Sequence, residues 1–332
     1  MSTTALWLGF ITVILMLLAL DLGILNRKAH VISAKEAMGW TAFWVSLSLG
    51  FSIFIYYGYR DQWFGLTHAA AVEGGDSPQW LAFTEYLTGY VIEQSLSLDN
   101  IFVIALIFAY FKVPAMYQHR VLFWGILGAI VLRGMMIGIG AALIARFHWI
   151  IYVFGVMLIL TAVKLLLAGD SHVDPEKNPL VKLARRIYPV SKSYEGEKFF
   201  TMVDGRKGIT PMFLVLLVVE STDVMFAVDS IPAIFAITKD PFLVFTSNVF
   251  AILGLRSLYF ALAAIMGKFR YLKVSLVFIL AFVGVKMLLS GVYHIPTGAS
   301  LGTIAGILAV GIIASIKAAQ DDSNKSGPPG GP

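Results

Sequence analysis

Five carboxylates stand inside stretches that otherwise read as membrane-spanning helices. Glu93 and Asp99 belong to the segment Glu93-Gln-Ser-Leu-Ser-Leu-Asp99-Asn100, and Glu220, Asp223 and Asp229 to Glu220-Ser-Thr-Asp223-Val-Met-Phe-Ala-Val-Asp229-Ser230-Ile-Pro232. A carboxylate in hydrocarbon is costly, so acids at that depth face a bundle interior or an aqueous path and mark ion or proton routes. Asn100 adds an amide oxygen and Ser230 a hydroxyl, so every candidate donor is oxygen. Such donors suit Mg²⁺, Ca²⁺ or Mn²⁺, whereas Zn²⁺ and Cu⁺ prefer imidazole or sulfur. The six histidines (His30, His68, His119, His148, His172, His294) lie in loops or at span ends, away from both clusters. Several carboxylates around one divalent ion repel when it leaves, so protonation on release offers a route to proton antiport. The competing reading is a structural polar network satisfied by the bundle's own Arg and Lys.

Spacing limits how these groups can meet. On a straight helix Glu220 and Asp223 share a face while Asp229 points the opposite way, and Glu93 and Asp99 stand about 120° apart. Convergence on one ion therefore asks for a broken or kinked helix. Pro232 removes a backbone donor and should free the carbonyl of Val228, whereas the first cluster has only Gly89 upstream, so the break is predicted in the second segment. Arg133, Arg256, Lys164 and Lys286 also fall within apolar spans and read as counter-charges to acids without metal. The two lysines could instead snorkel to the interface. Asp21 could cap the following loop or line an ion path.

The elements that must hold these residues follow from composition. With 58% hydrophobic residues, 14% charged and a mean hydropathy of +0.80, the 332-residue chain is not a soluble domain. Runs long enough to span hydrocarbon recur at residues 5–25, 39–59, 81–111, 120–142, 148–168, 211–237, 243–265, 273–292 and 299–318. The first lacks a basic flank and a small-residue cleavage site, so it reads as a retained helix. Of the 25 Lys and Arg, eighteen lie in odd-numbered connections and the tail, and three in even-numbered ones. The positive-inside rule then puts the N-terminus outside and the C-terminus in the cytoplasm. The net charge of +5 is thus a matter of orientation, not a nucleic-acid footprint. The absence of cysteine excludes disulfides, thiolate ligation, iron–sulfur clusters and thiol relays.

A repeat organises the middle of the chain. Leu96-Ser-Leu-Asp99-Asn100-Ile101 lines up with Phe226-Ala-Val-Asp229-Ser230-Ile231, and in each copy another acid lies six residues earlier. An Arg follows (Arg133, Arg256), and Val163-Lys164-Leu-Leu-Leu-Ala-Gly169 echoes Val285-Lys286-Met-Leu-Leu-Ser-Gly291. Each unit holds three spans, so the two copies enter the membrane from opposite sides, as in secondary transporters with midplane ion sites. The expected fold is an all-α polytopic membrane protein of about nine transmembrane helices with two inverted three-helix repeats. Its parts are a two-helix region at 1–80, repeats at 81–168 and 211–292, a cytoplasmic loop at 169–210, a last helix at 293–320 and a disordered tail at 321–332. Within the loop, Leu180, Leu183 and Ile187 line one helical face against Lys182, Arg185 and Arg186, which suggests an interfacial helix on anionic lipids. Asp204-Gly205 between two short runs signals a hairpin.

The segments Leu180-Val…Arg185-Arg186…Tyr188-Pro189, Thr210-Pro211…Val219-Glu220-Ser-Thr-Asp223 through Thr238, and Leu22-Gly…Arg27-Lys28-Ala-His30 resemble the TerC family of integral membrane proteins, in particular its Alx-like branch. The resemblance covers residues 5–318. It implies a LysE-like transporter with paired three-helix repeats, located in the bacterial inner membrane, that exports manganese under alkaline or metal stress. Carried over residue by residue, it makes Glu93, Asp99, Asn100, Glu220, Asp223, Asp229 and Ser230 the metal ligands, with Mn²⁺ as transported substrate and no enzymatic activity. Other readings are a Ca²⁺/H⁺ exchanger and a membrane assembly factor, docked through loop 169–210, that aids metalation of exported proteins. An intramembrane aspartyl protease is a further alternative, but no Gly precedes Asp99 or Asp229 and the oxygen groups exceed what a dyad needs.

Overall fold

The computed structural model describes residues 3–20, 33–68, 77–167, 175–263, 271–293 and 295–325. Its elements are α1 (Thr3–Leu20), α2 (Ala34–Arg60), α3 (Pro78–Tyr110), α4 (Ala115–Arg146), α5 (Ile150–Leu167), α6 (Pro179–Ile187), strands β1 (Phe200–Val203) and β2 (Arg206–Ile209), α7 (Pro211–Phe235), α8 (Pro241–Ala263), α9 (Leu272–Leu289) and α10 (Thr297–Lys325). Among the described residues eight helices are long and apolar enough to cross a membrane: α2–α5 and α7–α10. The chain is a polytopic helical membrane protein. The sequence suggests a ninth span at 5–25, but α1 is described only as a shorter apolar helix. Asp21 and the rest of 21–32 lie outside the described residues. α10 runs through Lys325, past the expected helix end at 320, and residues 326–332 of the expected tail are also outside.

Local chemistry accounts for where the helices start. Ser33 caps α2 by accepting from the Glu36 amide at 3.3 Å, with Glu36 in the first turn. Pro78, Pro179 and Pro211 open α3, α6 and α7, where a missing N–H costs nothing. Pro232 does not break α7 between Asp223 and Asp229. The helix is continuous and ends at Phe235, so the lost bond falls in its last turn. α3 likewise runs unbroken through both Glu93 and Asp99.

α8 is enclosed almost entirely, packed on α2, α3 and α4. α3 also packs on α7, α4 on α7, and α5 on α9. The α5–α9 crossing is close because both contact points are glycine: a Cβ on Gly284 would meet the Gly155 carbonyl at 2.9 Å. α1 joins the core through Trp7 and Phe10, whose rings lie 5.4 and 5.9 Å from Phe242. Leu8, Ile53, Leu106, Ile139 and Leu166 are exposed on the outside, the surface that meets hydrocarbon.

Between α5 and α7 the chain forms a small unit at one end of the bundle. Asn178 caps α6 by accepting from the amides of Leu180 and Val181. Val181 and Ala184 are buried in a cluster with Met212 and Val215 of α7, leaving Leu180, Leu183 and Ile187 exposed. The expected hairpin is present: Asp204 and Gly205 take φ of 50° and 76°, the left-handed pair a two-residue turn needs. Tyr194 Oη donates to the Phe111 carbonyl at 2.7 Å and seats the unit on the α3–α4 turn.

Candidate functional site

Arg133 sits near the middle of α4 with 1% of its surface exposed, and its guanidinium gathers groups from two other helices, α3 and α7. Nε and Nη2 donate to Asp223 Oδ2 and Oδ1 at 3.1 and 2.8 Å, a two-pronged grip. Nη1 donates to Glu93 Oε1 and, at 3.4 Å, to Ser230 Oγ. One arginine therefore joins a carboxylate of the first acidic motif on α3 to one of the second on α7. Glu93 is fully buried and the Asp223 side chain is 13% exposed. Removing one partner of a buried ion pair leaves an uncompensated charge and costs about 3–5 kcal/mol.

Beside this ion pair lie oxygens without hydrogen bonds. Glu93 Oε2, Gln94 Oε1, Asn100 Oδ1 and Glu220 Oε2 are buried and unpartnered among the described residues. Glu220 presses its carboxylate on Gly128 of α4, where a Cβ would overlap Oε1, so the glycine makes room for the acid. A cavity of about 20 Å³ opens between Asn100, Thr222, Asp223 and the apolar side chains around them. That is enough for one water or a small ion. Among the described residues no three His, Asp or Glu side chains form a ready metal cage. The positive charge between Glu93 and Asp223 is the arginine's own.

Asp99 and Asp229 face elsewhere. Asp99 borders a cavity of about 10 Å³ with Ser95, Lys273, Leu276 and Leu308, toward α9 and α10. Asp229 Oδ1 accepts from Thr161 Oγ1 of α5 at 2.8 Å. Asp99 thus turns to α9 and α10, and Asp229 to α5. On α7, Glu220 and Asp223 both meet α4 while Asp229 turns to α5, the division that helical spacing requires. The structure therefore brings Glu93, Asp223 and Ser230 together on Arg133, sets Asn100 and Glu220 alongside, and holds Asp99 and Asp229 apart. Lys286 is buried and donates to Ser300 Oγ at 2.9 Å, whereas Lys164 is exposed. Arg256 is buried on α8.

Sequence reasoning passed over three groups. Thr161 is the partner of Asp229, and Gln94 adds an unpartnered buried oxygen next to Glu93. Asn248 on α8 is 1% exposed, and both ends of its amide are unpartnered among the described residues. An uncharged polar residue within an apolar run was the available signal in each case.

A helical bundle of eight apolar helices with a buried ion pair between them defines a multi-pass membrane protein. The chain belongs to the TerC family: residues 78–323 match the integral membrane protein TerC family. It is 50% identical over 315 residues to "Uncharacterized membrane protein STKORF319" of Myxococcus xanthus, covering 95% of this chain and 93% of that one. It is 47% identical over 313 residues to "Putative membrane-bound redox modulator Alx" of Escherichia coli K12, covering 94% of each. A Rickettsia bellii membrane protein is 42% identical over 310 residues, covering 93% of this chain and 96% of its own. No solved structure matches the chain.

Proposed function

We propose that the chain is a secondary transporter that exports Mn²⁺ from the cytoplasm across the bacterial inner membrane in exchange for protons. The observation that carries this reading is the Arg133 bridge. One guanidinium neutralises an acid from each motif, beside a small cavity and oxygens without partners. In the absence of metal Arg133 supplies the counter-charge. A divalent ion entering beside Asn100 would compete with it for Asp223 and Glu93, and Arg133 would move aside. Asp99 and Asp229 then serve as stations on either side of this point, each reached through the partner unit's third helix. The crosswise packing of α3 on α8, α4 on α7 and α5 on α9 supports two inverted units. The Lys and Arg asymmetry supports the N-terminus outside, with α6 and the hairpin in the cytoplasm on anionic lipid.

Oxygen ligands favour Mn²⁺, Ca²⁺ or Mg²⁺ over Zn²⁺. Mg²⁺ sheds its water reluctantly, which leaves Mn²⁺ the better cargo for a site reached through narrow cavities. A redox role of the kind in the relatives' name would reach this chain through the metal, because it has no cysteine. The test is flux in liposomes reconstituted with the purified protein, comparing Mn²⁺, Ca²⁺, Mg²⁺ and Zn²⁺ at two pH gradients. Mn²⁺ flux that follows the proton gradient is expected. Ca²⁺ in its place would make the chain a Ca²⁺/H⁺ exchanger, and no flux of any ion would remove the transporter reading.

A further inference from the structure

A second buried charged cluster lies at the end of the bundle away from the hairpin, and the Arg133 site does not use it. His68, in the segment that follows α2, places Nε2 2.7 Å from Glu85 Oε2 of α3, and both side chains are 6% exposed. The Tyr59 ring at the end of α2 lies 5.9 Å from the His68 ring, and its hydroxyl donates to Asp240 Oδ2 at 2.5 Å. Asp240 in turn accepts from the Phe242 amide at 2.9 Å and so fixes the start of α8. Lys286, near the end of α9, is buried within reach of the charge of Glu85 and donates to Ser300 of α10. Arg60 and Asp61 pair with each other at the surface, and Lys239 is exposed. The charged and titratable groups facing His68 and Glu85 among the described residues are therefore Tyr59, Asp240 and Lys286.

Five helix ends meet in this cluster, and one member holds a spare position for a proton. His68 Nδ1 is buried with no hydrogen-bond partner among the described residues. We propose that His68 and Glu85 form a proton-binding latch that holds this end of the bundle shut while His68 is protonated. As the imidazolium, His68 makes a charge-assisted bond to Glu85 and ties residues 61–68 over the helix ends. When its proton passes to water the pair loses one charge. Glu85 is then left with Lys286 as its cation, and the segment is released. The inference rests on the transporter reading for its purpose, since in the proposed orientation this is the outer end, but not for its physics.

The direction of titration follows from the surroundings. Burial pulls the imidazole down, but the hydrogen bond His68 donates to Glu85, the charge of Glu85 and the charge of Asp240 outweigh burial and leave His68 raised above its ordinary value. A histidine raised in the folded state contributes stability that is complete below the unfolded value of about 6.5 and is lost as pH climbs through the folded one. The latch is therefore closed on the acidic side and loosens as pH rises through the raised value of His68.

Three measurements on the full-length protein test it. Histidine NMR of the wild type should show one imidazole, absent from His68→Gln, that titrates above ordinary histidine. A His68 that titrates at or below the ordinary value overturns the proposal. The melting temperature in detergent should fall between pH 6.5 and 9 more steeply for wild type than for His68→Gln or Glu85→Gln, and equal slopes would also overturn it. The chain has no cysteine, so Ala82→Cys, buried one turn from Glu85, can report opening through an impermeant maleimide. Labelling should rise more with pH in the His68 background than with His68→Gln, after scaling to free thiol reactivity. Equal rises would sink the idea. If all three hold while liposomes move no ion at any pH, the transporter reading fails and the latch stands.

Discussion

At the scale of single residues, the balance of charge around Arg133 decides most. Arg133→Gln keeps a hydrogen-bonding side chain but strands Glu93 and Asp223, and the metal-free protein should lose about 3–5 kcal/mol. If the arginine stands where a cation's charge is needed, Mn²⁺ should restore part of that loss. The melting temperature of Arg133→Gln should then rise on adding MnCl₂ by more than that of the wild type, and equal rises would show that metal and arginine do not compete. Asp99→Asn and Asp229→Asn touch neither partner of Arg133. They should leave stability within about 1 kcal/mol, the range for a change that breaks no buried ion pair, and abolish Mn²⁺ flux. Arg133 was legible in the sequence as a counter-charge, because an arginine inside an apolar span needs an acid. Its joining of Glu93 to Asp223 was not, since nothing along either helix states which faces of α3, α4 and α7 meet. The break expected in α7 was the wrong inference: Pro232 lies in the last turn, and an arginine side chain spans the gap between Glu93 and Asp223 that the backbone does not close.

At the scale of elements, hydropathy marked the long helices, but their packing came from features too small to read, such as the glycine pair that lets α5 and α9 touch. The loop between α5 and α7 was more legible. Asp204-Gly205 dictates its own backbone, and Asn178 and Pro179 dictate the start of α6. The side that α6 buries was not dictated by the obvious stripe. Val181 and Ala184, small enough to sit against α7, turn inward, and the larger Leu180, Leu183 and Ile187 turn out beside Lys182, Arg185 and Arg186. An exposed apolar edge flanked by basic residues matches an anionic membrane surface. Each basic residue near such a surface is worth about 1 kcal/mol, so replacing Arg185 and Arg186 by Gln should weaken the contact by about 2 kcal/mol. A fluorophore on Leu183→Cys should shift to the blue in nanodiscs containing anionic lipid, and shift less in the double-Gln background. Indifference to lipid charge would mean that this edge meets something other than headgroups.

At the scale of the whole molecule, exposed apolar side chains outside and ion pairs inside invert the soluble pattern, and membrane class was legible in the sequence for that reason. The number of spans was less legible: among the described residues eight helices are long enough to cross, and α1 is a shorter apolar one. Its burial through Trp7, Phe10 and Ile14 nevertheless ties it to α2 and α8. If the bundle carries metal as proposed, its effect on a cell follows from donor chemistry. Oxygen ligands without sulfur or imidazole give no preference for Zn²⁺, and Mg²⁺ resists the dehydration that a cavity of one-water size demands. Cells lacking the protein should therefore become sensitive to Mn²⁺ before other divalent ions and should accumulate it, as read by mass spectrometry of washed cells. Restoration should require acids from both motifs: Glu93→Gln and Asp223→Asn should each fail alone, because each removes one of the two carboxylates that Arg133 holds. Unchanged cellular manganese in the deletion strain, or full rescue by a variant lacking all five intramembrane acids, would show that the buried charges serve the architecture and that the cargo is something else.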